Sequence, residues 1–135
     1  MRSRICGLWL VLLLTTQSFA MPARAETPCA APATMMDRVE LYFGVSRGAT
    51  QRAFAHFLAR EVTPRFPDGL SLFRGYGQWR DSGGHISAES AQLLVIFYRP
   101  DPKANDKIEA IRAAYKKRFH QQSVLRADSQ ACVSF

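Results

Sequence analysis

Glu40, Tyr42, Tyr76, Gln78, Arg80 and His85 are the side chains whose types and spacing could do chemistry in this chain. Glu40 and Tyr42 alternate with Leu41 and Phe43, so they share the polar face of one strand. Tyr76, Gln78 and Arg80 alternate in the same way along a second. If both faces turn to the same side, a carboxylate, two phenols, an amide and a guanidinium converge on a small-ligand site. A tyrosine and an arginine together suit an anion, and Glu40 would serve as a base where burial raises its pKa. The plainer reading has Glu40 and Arg80 as a cross-strand ion pair, with Tyr76 and Trp79 simply packing. Gly75 and Gly77, two residues apart, leave the facing of the second strand open, so both readings stand. His85 adjoins this strand in the turn Asp81-Ser82-Gly83-Gly84-His85, where an exposed turn histidine is the simpler account.

Other chemistry finds little support. His56, His85 and His120 show no i, i+4 ligand pair and no adjoining Cys-x-x-Cys, so no metal site is expected. There is no G-x-S-x-G nucleophile signal, and no cofactor is expected.

The elements that must position these residues follow from hydrophobic period. Val39, Leu41, Phe43 and Val45 alternate along a strand at residues 38–45. Thr50 is placed to cap a helix with an apolar stripe of Phe54, Phe57, Leu58 and Val62, stopped by Pro64. Pro67-Asp68-Gly69 turns into a second strand over residues 70–81. Residues 91–98 are apolar on both faces and predict a central strand. Leu93, Val95 and Phe97 lie on one face, and Leu94, Ile96 and Tyr98 on the other. Asp101-Pro102 opens a second helix carrying Ile108, Ile111, Tyr115 and Phe119, and residues 123–135 return as a last strand.

The order β-α-β-β-α-β predicts an α+β, ferredoxin-like sandwich. Its four-stranded antiparallel sheet has the first and third strands central and two helices on one face. Leu94, Ile96 and Tyr98 are expected on the opposite, open face. An apolar patch there calls for cover by a second subunit, the N-terminal arm or a ligand. A homodimer packed sheet to sheet is the preferred cover.

The N-terminal residues bear on compartment. Arg2 and Arg4, the apolar run of residues 5–14 and Ala23-Arg24-Ala25 have the layout of a cleaved secretory signal at residues 1–25. Ser18-Phe19-Ala20 offers a second cleavage point. The apolar run is short for a membrane span, so no membrane association is expected after cleavage. Residues 26–36 read as a Pro- and Ala-rich arm, and residues 37–135 as one domain. Cleavage removes Cys6 and leaves Cys29 and Cys132, read first as a disulfide in a periplasmic or secreted protein, or else as two free thiols.

Losing Arg2, Arg4 and Arg24 takes Lys plus Arg from 18 to 15 against 11 acidic residues, so net charge falls from +7 to +4. That balance argues solubility and gives no nucleic-acid footprint.

Five blocks resemble one family. They are Glu40-Leu41-Tyr42-Phe43-Gly44, the run from Glu61-Val62-Thr63-Pro64 to Pro67-Asp68-Gly69-Leu70, Gly75-Tyr76-Gly77-Gln78-Trp79-Arg80, Ile108-Glu109-Ala110-Ile111-Arg112, and Gln122-Ser123-Val124-Leu125-Arg126. The chain from residue 37 onward is similar to the domain of unknown function 3574 family. The resemblance implies a secreted or envelope-associated bacterial protein and supplies no catalytic residues. Two functions fit the residues: a ligand-binding or interaction module that dimerises through its sheet, and a small cofactor-independent enzyme with a pocket on the open face, similar to dimeric α+β barrels. The module is the preferred reading and the enzyme the alternative.

Overall fold

The computed structural model describes residues 29–45 and 50–135. The expected signal segment and its cleavage points, the first residues of the arm, and Gly48-Ala49 before the first helix lie outside the described residues.

The chain forms β1 (Thr34–Val45), α1 (Gln51–Phe57), β2 (Ser71–Arg80), β3 (Ile86–Tyr98), α2 (Ala104–Phe119) and β4 (Leu125–Val133). All pairings are antiparallel and the strand order is β2-β3-β1-β4, the ferredoxin-like arrangement with β1 and β3 central. β1 starts before its apolar alternation does. Thr34, Met35 and Met36 pair with Val133, Cys132 and Ala131, so the end of the expected arm is strand.

Thr50 caps α1 by accepting from the Ala53 N–H at 3.2 Å. The helix runs on as a π-helical turn (Leu58–Val62), closed by a bond from the Thr63 N–H to the Leu58 carbonyl at 2.9 Å. The wider turn swings Val62 onto the face of Phe54 and Phe57, and all three are buried. α2 ends at His120, whose φ of 53° is left-handed, and the Gln121 N–H folds back on the Lys116 carbonyl at 3.1 Å.

The core corrects one expectation. Leu94 and Ile96 are buried under the helices, with Tyr98 packed beside them, because they pair across β1 with Leu41, Val39 and Asp37. Leu93, Val95 and Phe97 are therefore the residues on the open face. A strand that is apolar on both sides does not reveal its facing, and pairing with β1 decides it.

Phe43, Phe54, Phe57, Tyr115 and Phe119 make an aromatic cluster between sheet and helices. The Tyr115 ring centroid lies 4.4 Å from Phe43, 4.6 Å from Phe119 and 5.2 Å from Phe57. Its hydroxyl leaves the cluster to donate to the Gly44 carbonyl at 2.8 Å, tying α2 to the end of β1. Burial pushes the Tyr115 phenol well above its ordinary pKa, and the Glu89 carboxylate adds to the shift.

Cys29 and Cys132 form a disulfide with Cα atoms 5.5 Å apart and a sequence separation of 103. We expect Cys29→Ser/Cys132→Ser to lose about 4 kcal/mol in urea unfolding, since the bridge closes nearly the whole domain in one loop; an unchanged midpoint would contradict this. Tyr115→Phe should lose about 1–3 kcal/mol by orphaning the Gly44 carbonyl. The raised phenol pKa also fixes a sign. Its contribution is fully present below the ordinary tyrosine pKa and is lost as pH climbs, because the unfolded chain ionises first. Denaturation series from neutral to alkaline pH should show a fall that is shallower in Tyr115→Phe.

Candidate functional site

The open face of the sheet is organised in rows set by register. Leu125, Tyr42, Leu93 and Phe73 stand side by side across all four strands. In the next row inward along β3, Gly44, Ala91 and Gly75 have almost no side chain. Then come Glu89 with Gly77, and Ser87 with Trp79. Tyr42 and Leu125 from the first row and the Trp79 ring thus bound a trough whose floor is Gly44, Ala91 and Gly77. It is a pocket of about 390 Å³, with Gln121 and Ser123 also lining it. Tyr76 and Gln78 border it on either side of Gly77.

Glu89 sits in this floor. Its Oε1 accepts from Trp79 Nε1 at 3.2 Å. A side chain at Gly44 would collide with the Glu89 carboxylate and stand 3.1 Å from Gln121 Oε1, so the glycine makes the room that the carboxylate occupies. At Gly77 a Cβ would only touch Ala91 Cβ at 3.7 Å. The left-handed turn at His120 carries Gln121 to the end of the trough. Among the described residues, Glu89 is the only charged side chain lining the pocket.

The residues singled out from sequence divide between the two faces. Glu40 and Tyr42 are on the open face, and Tyr42 reaches the pocket. The Tyr42 hydroxyl donates to Glu40 Oε2 at 2.5 Å, and Arg38 pairs with the same carboxylate. The hydrogen bond to Glu40 holds the Tyr42 phenol above its ordinary pKa, with burial and the charge of Glu40 adding and Arg38 opposing. Glu40 is thus engaged along its own strand, and the cross-strand pair with Arg80 does not form.

Tyr76, Gln78 and Arg80 project to the helix side, because Tyr76 pairs with Ser90 and, through it, aligns with Val45. The structure therefore does not gather the five strand residues on one face. Arg80 donates to the Gly84 carbonyl at 2.9 Å, and Asp81 accepts from the backbone N–H groups of Gly83 and His85 at 2.9 and 3.0 Å. Arg80 and His85 belong to the β2–β3 turn, outside the pocket.

Glu89, Gly44 and Gln121 were not legible as site residues. Residues 86–90 lack apolar alternation, and only pairing with β2 makes them strand. The signal that could have found the trough is the small residues at 44, 75, 77 and 91, which share a face once the register is known.

A smaller cavity of about 220 Å³ lies between the α1–β2 and β3–α2 connections. Two of its cations are engaged, Arg65 with Glu61 at 3.0 Å and Lys107 with Asp101 at 2.7 Å. Among the described residues no group of three or more His, Cys, Asp or Glu could hold a metal ion, and no helix is long and apolar enough to cross a membrane.

The fold is similar to that of a phage SAM lyase. In its complex with S-methyl-5′-thioadenosine, the likeness has a TM-score of 0.59 at 12% identity and covers 84% of this chain and 97% of that one. In the apo state the TM-score is 0.55 at 14% identity, over 74% and 86%. At these identities the likeness is one of fold. No curated protein matches the sequence. Residues 38–135 match the family model described as Protein of unknown function (DUF3574), and the chain belongs to that family.

Proposed function

We propose that this domain binds a small ligand in the trough on its open sheet face, and that two copies meet through that face. The carrying observation is the bare floor of Gly44, Ala91 and Gly77 beside Tyr42, Leu125 and Trp79, with one carboxylate in it. Apolar walls with a few placed polar groups are the usual make-up of a small-molecule site. The dimer reading rests on Phe73 and Leu125. They flank the row at opposite sheet edges and stay 55% and 60% exposed, whereas Val95 on the same face is already buried. The Cys29–Cys132 bridge supports a periplasmic or secreted place of action, where such a bridge persists.

The second reading, a small cofactor-independent enzyme using the same pocket, is favoured by the likeness to the phage SAM lyase. The ligand of that structure, S-methyl-5′-thioadenosine, is the first probe for either reading.

Titration of the mature protein with this probe, followed by the Trp79 indole signal in NMR, should show saturable shifts. Gly77→Leu fills the floor and should abolish them, while Gly77→Ala, with only a van der Waals contact to make, should retain them. Shifts that survive Gly77→Leu, or that never appear, would overturn the site. Incubating the same samples with SAM separates the readings, since release of S-methyl-5′-thioadenosine supports the enzyme and binding without turnover supports the module. Light scattering should give a dimer at micromolar concentration and a monomer for Phe73→Arg/Leu125→Arg; a monomeric parent protein would sink the dimer.

A further inference from the structure

We infer that the ligand of this pocket is an organic monocation, a sulfonium or ammonium group carried on a flat ring system; the inference rests on the pocket being a ligand site. Glu89 is the only charged residue in the lining, and no Lys, Arg or His among the described residues lines the pocket with it. In the described structure its carboxylate has one hydrogen-bond donor, the Trp79 indole, at 3.2 Å. A ligand that fills the trough removes water from that carboxylate. A neutral occupant leaves a partly desolvated charge with one donor, and an anion adds repulsion. A cation supplies the missing partner and is the one class for which the floor is complementary.

The walls point the same way. Trp79 and Tyr42 are the aromatic side chains on the open face that border the pocket, and aromatic faces attract sulfonium and ammonium groups while accommodating a planar ring. Gly44 is part of the device. Any larger residue there would evict the carboxylate from the floor.

Charge can be varied with little change of shape by comparing S-methyl-5′-thioadenosine with its S-methylated sulfonium. Both are titrated into the mature protein by calorimetry, with the Trp79 indole shift reporting the site. The sulfonium should bind about tenfold or more tighter than the thioether. In Glu89→Gln that preference should shrink to about twofold or less with thioether affinity retained, and in Glu89→Asp, which keeps the charge, it should persist. Circular dichroism and thermal melts establish that both variants fold.

Equal affinity of the two probes in the parent protein would overturn the cation class and leave the pocket standing. So would a preference that survives Glu89→Gln. Failure of both probes to move Trp79 would remove the pocket itself and the inference with it.

Discussion

Leu41 opposite Leu94 and Val39 opposite Ile96 put four buried aliphatic side chains on one face of the two central strands. Side chains alternate with a period of two, so a slip of one residue would carry all four into water. Each fully buried side chain of this size contributes about 1.5–3 kcal/mol, which makes the shifted pairing untenable. What faces the other way is then decided without any contribution from the site itself. Glu40, Tyr42, Gly44, Glu89 and Ala91 reach the open face because the core has claimed the alternate positions.

The end of β1 needs more than register, because a glycine strand end gives the core nothing to grip. Tyr115 supplies the hold. Its ring is fully buried among Phe43, Phe57 and Phe119, and its hydroxyl satisfies the Gly44 carbonyl at 2.8 Å. The residue that must stay bare to admit Glu89 is thus fixed from beneath by its backbone. α2 then returns through His120 to bring Gln121 beside it. The helix face and the open face are coupled at this point, and the disulfide ties the opposite end of β1 to β4.

The order of elements, the central places of β1 and β3, the Thr50 cap and the stripes of both helices were legible, because each is written in local periodicity. The facing of β3 was not. Leu93 to Tyr98 are apolar on both sides, and only the partner strand distinguishes the two. The expected cluster failed for a related reason. Glu40 with Tyr42, and Tyr76 with Arg80, each alternate correctly, but alternation within a strand says nothing about phase between strands. Tyr42 survives as a wall of the pocket. Glu40 becomes the group that orients it, and Arg80 and His85 are absorbed into a turn. Glu89 stayed hidden because a strand of Ser, Ala and Glu has no apolar period of its own and is held by its pairing with β2.

The bare floor of Gly44, Ala91 and Gly77 is proposed as the seat of a ligand with its charge against Glu89. A crystal structure of the protein grown with the S-methylated sulfonium of S-methyl-5′-thioadenosine tests this most directly. Density is expected in the trough, with the sulfonium sulfur against the Glu89 carboxylate and the ring beside Trp79. Density for the cation elsewhere on the molecule, with Glu89 still held by Trp79 alone, would contradict it.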